Sequence, residues 1–233
     1  MVHSAFGLRP DPPKGVILAT CALAAIVVVL EPLWRMARNF ITIAHEGGHA
    51  LAAVLTGRRL SGIKLHSDTS GLTLSRGRPT GPGMIITGLS GYVTPPLLGL
   101  GAAALLAAGR MTLLLLIALV LLPLMLIMIR NFFGVLSVVA TMAILLGVAV
   151  YAPPAVQGAF AYLFAWFLMI GGARAVFELQ GSRRRGTARQ SDADQVGRLT
   201  HLPPIVWVGF FAAVAIASLV IGGRWLLDVA MMN

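Results

Sequence analysis

Long apolar runs parted by short basic segments leave a chain few ways to fold. Inside lipid no water is present to satisfy the backbone, so each spanning segment must satisfy its own N–H and C=O groups as a helix. Such runs fall at 16–30, 39–57, 83–108, 111–129, 132–150, 155–173 and 205–221. Hydrophobic residues make up 58% of the chain and charged residues 11%, where a soluble domain carries about 25% charged. The pattern predicts an all-α polytopic membrane protein. It forms a single domain over residues 1–233, with six to seven transmembrane helices. The count is open by one because 83–108 and 132–173 can be divided differently.

The first run is predicted to be an uncleaved span, since only Val16–Thr20 is apolar ahead of Cys21 and that is too short for a signal sequence. Cys21 is the only cysteine, so no intramolecular disulfide can form. Glu31-Pro32 closes this run, and Trp34 and Arg35 read as interfacial anchors. Asn39 is the expected N-cap of the second span and Gly57 its stop. Between the second and third runs, Ile63-Lys64-Leu65-His66 and Leu72-Thr73-Leu74-Ser75 alternate with period two around Ser67-Asp68-Thr69-Ser70-Gly71. This is a β-hairpin over 60–76. Leu72, Thr73 and Leu74 could offer an edge strand to an extended substrate. The third run holds Gly88, Gly91, Gly99, Gly101 and Pro95-Pro96, which allow close helix contact and a kink.

The second run carries the chemistry. His45-Glu46-Gly47-Gly48-His49 is H-E-x-x-H. On a helix, positions four apart lie one above the other, so His45 and His49 can grip one Zn²⁺ while Glu46 acts as general base on water. Composition alone would place this pattern in on the order of one shuffled chain in a thousand. Ionisable groups inside a membrane span cost several kcal/mol each and mark functional sites.

A catalytic zinc site takes three protein ligands and keeps one position open. Acids are few. With Glu31 and Asp228 on the far side, Asp11 in a proline-rich tail and Asp68 at a hairpin tip, the remaining acids are Glu178, Asp192 and Asp194; His66 and His201 are outlying candidates. Ser191-Asp192-Ala193-Asp194 opens a short helix in the polar 181–202 loop, and Ser191 with Asp194 fits a capping box. Asp192 is favoured as the third ligand, with Asp194 as its alternative.

The net charge of +10 does not mark a nucleic-acid binder, because the basic residues sit at the ends of apolar runs and set topology. With seven spans and a cytoplasmic N-terminus, Arg9, Lys14, the hairpin arginines and the 181–202 loop share the cytoplasmic side. Only Arg35, Arg38, Arg110 and Arg224 lie opposite. The active site then opens toward the cytoplasm.

Taken together, H-E-G-G-H-A on an early span, the hairpin after it, Ser90-Gly91-Tyr92-Val93 opening a glycine-rich span, Arg130-Asn131-Phe132-Phe133-Gly134, and Ser191-Asp192-Ala193-Asp194 before Leu199-Thr200 resemble the site-2 protease family of intramembrane zinc metallopeptidases, in its compact bacterial branch. The resemblance covers most of 35–210. It implies a multi-pass cell-membrane protease that requires zinc, takes its third ligand from Asp192 and cleaves a transmembrane protein substrate. The chain departs from the family where better-known members carry Asn-Pro-Asp-Gly or Leu-Asp-Gly around that aspartate. It also lacks an asparagine between Gly83 and Ala108, which leaves Asn131 as the candidate oxyanion or substrate contact. The rival readings are a non-proteolytic metal-binding partner protein and, further off, a metal or proton transporter. Substrate identity and oligomeric state are not written in the sequence.

Overall fold

The computed structural model describes residues 12–187 and 190–232; Arg9, Asp11 and Arg189 fall outside them. Among the described residues eight helices and one hairpin form the chain. They are α1 (Lys14–Val29), α2 (Glu31–Leu55), β1 (Arg59–Leu65), β2 (Gly71–Arg76), α3 (Pro82–Ala107), α4 (Met111–Met128), α5 (Phe132–Tyr151), α6 (Pro154–Arg184), α7 (Asp192–Thr200) and α8 (Pro204–Met232). The all-helical membrane fold with one hairpin is as the sequence predicts.

Five helices, α3, α4, α5, α6 and α8, are each long and apolar enough to cross a membrane, and α1 with α2 makes a sixth only as a pair. The two meet at a bend of 101°. Pro32 explains the break. It has no N–H to offer the carbonyl of Val28 four residues back, and its ring would clash with that carbonyl. Leu30 therefore turns extended, and Pro32 falls in the first turn of α2, where a missing donor costs nothing. Arg174 of α6 replaces the lost donor. Its Nη1 bonds the Val28 carbonyl and reaches the Val29 carbonyl at 3.2 Å.

This corrects three expectations. The helix of the second run begins at Glu31, so Asn39 lies inside it rather than capping it, with Oδ1 buried and unpartnered. Trp34 is no interfacial anchor. It is 1% exposed, donates from Nε1 to Glu178 Oε1 at 2.6 Å and lies under the Arg174 guanidinium. By length and composition up to six segments can cross, the lower of the two predicted counts, and the way the helix ends meet moves the chain's start. Pro12 packs against Gly158 at the beginning of α6, near Met111 of α4, whereas Thr56 after α2 packs against Gly83 at the beginning of α3. The broken pair thus carries the chain once from end to end. Lys14 and the hairpin lie at opposite ends of the bundle, not on one side.

At the centre is α6. In its spanning window 61% is buried, against 11% in α4, which faces outward with α5. The close approach of α3 and α6 depends on missing side chains. A Cβ on Gly172 would lie 2.8 Å from Pro96 Cδ, and one on Gly99 would lie 2.9 Å from the Met169 backbone nitrogen. Small residues at a helix crossing supply packing where lipid removes the hydrophobic drive. Arg174 and Glu178 sit on this central helix and tie the bend to it, Arg174 Nε binding Glu178 Oε1 at 3.0 Å.

The hairpin is antiparallel, with Ile63 opposite Thr73 and a bulge between Leu60 and Gly62. Gly62 has φ of +156°, and Arg130 passes where a side chain would stand, so glycine is required there. Asn131 clamps the far edge of β1. Leu65 N–H donates to its Oδ1 at 3.1 Å, and its Nδ2 donates to the Leu65 carbonyl at 2.6 Å. β2 is left as the outer strand, with Leu72 and Leu74 exposed and Thr73 turned inward.

Candidate metal centre

Three elements far apart in sequence meet at one point. α2 supplies His45 and His49 on successive turns, with their Nε2 atoms 3.1 Å apart. α7 supplies Asp192, whose Oδ2 lies 3.1 Å from His45 Nε2 and 3.3 Å from His49 Nε2. α3 supplies the floor. A Cβ on Gly91 would fall 2.4 Å from His49 Nε2 and 2.6 Å from His45 Nε2, so only glycine leaves the imidazoles room. Gly48 lets α2 and α3 touch, since a Cβ there would meet the Ser90 carbonyl at 2.8 Å.

The rings are held from behind. His49 Nδ1 is 2.6 Å from the Thr87 carbonyl oxygen, which can only accept. The proton therefore sits on Nδ1, and Nε2 presents its lone pair to the cluster, as a metal ligand requires. Tyr92 meets the His45 ring edge-on, with centroids 4.7 Å apart, and stacks on Phe211 of α8 at 5.2 Å. His45, His49 and Asp192 each offer one donor, all within 4.8 Å of one another, and could hold one metal ion. Two imidazoles and one carboxylate, mutually about this close, suit a small tetrahedral divalent ion with one position to spare.

Asp192 reaches the cluster because of how α7 begins. Asp194 Oδ2 accepts from the Ser191 N–H at 3.1 Å, and the Asp194 N–H donates to Ser191 Oγ at 3.4 Å, so the capping box expected from sequence is formed. Arg183, at the end of α6, pairs with Asp194. The box and ion pair occupy Asp194 and turn Asp192 toward the imidazoles. Val196 one turn on seats in the space left by Gly88 of α3. Burial opposes charge on Asp194, and Arg183 with Ser191 outweighs it.

Glu46 is 4% exposed and lies under the hairpin. Thr73 Oγ1 donates to its Oε2 at 2.6 Å, and Gly71 stands where any side chain would strike the carboxylate. Thr42 fastens the hairpin turn to α2, donating to the Thr69 carbonyl at 2.7 Å. Of the other candidates, Asn131 spends both ends of its amide on Leu65. Glu178 is engaged by Trp34, Arg174 and Arg38, and His66 and His201 are exposed, away from the cluster. Sequence reading did not single out Thr87, Arg183 or the steric role of Gly91. For Gly91 a signal existed: a glycine facing a paired-histidine helix inside a glycine-rich span.

A family model described as Peptidase M50B-like matches residues 18–222. That stretch contains every residue of the cluster, the hairpin and all the crossings except the start of α1 and the end of α8. No curated protein and no solved structure matches the chain. With most of its length inside that match, the chain belongs to the M50B-like family of metallopeptidases.

Proposed function

We propose that this chain is an intramembrane zinc endopeptidase that hydrolyses a peptide bond in or near a transmembrane helix of another protein. The observation that carries the reading is the convergence of His45 Nε2, His49 Nε2 and Asp192 Oδ2 within about 3 Å of one another, with the buried Glu46 on the same turn of α2. His45, His49 and Asp192 would hold the ion. Zinc, when bound, supplies Lewis acidity toward water and toward the scissile carbonyl. Glu46 takes the proton from the attacking water and delivers it to the leaving amine. The helices around the cluster keep lipid and bulk water from it, so that a buried carboxylate can serve as the base.

A peptide bond inside a helix is shielded by its own hydrogen bonds, so the substrate must be drawn out straight before attack. β2 is an outer strand beside Glu46, and Leu72, Thr73 and Leu74 lie along it. A substrate strand can pair there with its backbone. Arg58, Arg59, Arg76, Arg78 and Arg183–Arg185 gather at the hairpin end of the bundle. The positive-inside rule then makes that end cytoplasmic, with Lys14 and the start of α1 on the opposite face. The active site opens toward the cytoplasm.

The test is cleavage of a single-span reporter by purified protein in liposomes. Wild type loaded with zinc cuts it, a chelator stops the cut, zinc restores it, and Glu46→Gln does not cut. Equal cutting by wild type and Glu46→Gln would remove Glu46 as the base. Stoichiometric zinc with no cutting of any single-span reporter would favour a non-proteolytic metal protein.

A further inference from the structure

The contact between the hairpin and Glu46 is closer than a neighbouring strand needs. Thr73 Oγ1 lies 2.6 Å from Glu46 Oε2 and 3.2 Å from the Glu46 carbonyl oxygen. A hydroxyl has one proton, and the shorter contact, to the side-chain oxygen, takes it. No other side chain among the described residues is seen donating to that carboxylate. Three further features hold Thr73 in place. Thr42 anchors the turn, Asn131 grips β1 at Leu65, and Ile63, paired with Thr73 across the strands, is wholly buried. Gly71 leaves the gap that the carboxylate fills.

We propose that Thr73 is a positioning residue: its hydroxyl fixes which way the Glu46 carboxylate points, so β2 is a working part of the catalytic centre and not only a rest for substrate. The idea rests on the peptidase reading above. A glutamate has three side-chain torsions, and a base that must meet one water and one leaving nitrogen gains from having them set beforehand. The donor is on the same strand that would pair with substrate. Seating a substrate along β2 and aiming the base are therefore mechanically one event.

The test compares Thr73→Val, which keeps the shape and strand preference but lacks the donor, with Thr73→Ser, which keeps the donor. Thr73→Ala is carried beside them as a smaller change. In the liposome assay, Thr73→Val and Thr73→Ala lower kcat roughly tenfold with KM and zinc stoichiometry unchanged, and Thr73→Ser returns most of the rate. A second readout needs no turnover. Melting temperatures of wild type, Thr73→Val, Glu46→Met, which leaves no acceptor, and the double variant are non-additive if the hydroxyl and carboxylate are coupled. Wild-type kcat in Thr73→Val, equal loss in the Ser and Val variants, or additive melting shifts would overturn the proposal. These outcomes differ from failure of the peptidase reading, in which Glu46→Gln itself cuts like wild type.

Discussion

Gly91→Ala adds one methyl group and should cost the protein its metal. The new Cβ would stand 2.4 Å from His49 Nε2 and 2.6 Å from His45 Nε2. Carbon and ring nitrogen rest no closer than about 3.5 Å, so each ring must withdraw by about 1 Å. A zinc site tolerates roughly 0.2 Å in its ligand distances. Neither ring can yield cheaply. The Thr87 carbonyl holds His49 from behind, and Tyr92 lies against His45. Mispositioning the groups that merely support ligands costs 10–100-fold in affinity, so moving the ligands themselves should cost about 100-fold or more. The assay is zinc titration of detergent-purified protein, with Gly101→Ala on the same helix as control, since nothing lies within 4 Å of that position. A folded Gly91→Ala protein that binds zinc as tightly as wild type would refute the reasoning.

Other outcomes follow from the same contacts. Arg174→Met strips the donor from the Val28 and Val29 carbonyls and takes a partner from the part-buried Glu178; thermal melts should show a loss of roughly 2–3 kcal/mol from these buried groups. Asn131→Ala releases β1, and hydrogen exchange at the Leu65 amide should quicken by about tenfold while that of α6 is unchanged. Asp194, held below its ordinary value by Arg183 and Ser191, contributes stability that is complete above the unfolded carboxylate value and is lost as pH falls toward the folded one. Melting temperature followed downward from about pH 6 should therefore drop more steeply in wild type than in Asp194→Asn, which starts lower.

What could be read from the sequence was what local pattern controls. The apolar runs, the paired histidines, the period-two hairpin and the Ser191–Asp194 box each depend on residues a few positions apart, and each is present in the structure. What escaped depends on contacts over long separations. The bend at Leu30 was signalled by Pro32, but the partner that makes it tolerable, Arg174, is more than a hundred residues away. Taking α1 and α2 as two separate spans puts Lys14 on the hairpin's side, whereas Pro12 packs beside Gly158 at the other end of the bundle. Asn131 is a candidate substrate contact only through the family resemblance, whereas the strand it grips is visible only in three dimensions. Asp192 and Asp194 could be narrowed down by chain position. Their division of labour, one facing the imidazoles and one capping α7 against Arg183, follows from the direction in which that helix leaves its cap.

The most direct measurement is X-ray absorption at the zinc edge on the purified wild type and on Asp192→Ala. Stoichiometric zinc bound by two imidazoles and a carboxylate oxygen at about 2.0–2.2 Å, with the carboxylate signal lost in Asp192→Ala, is the result expected here. Zinc that is absent, that lacks imidazole ligands, or that keeps an unchanged ligand shell in Asp192→Ala would contradict the account.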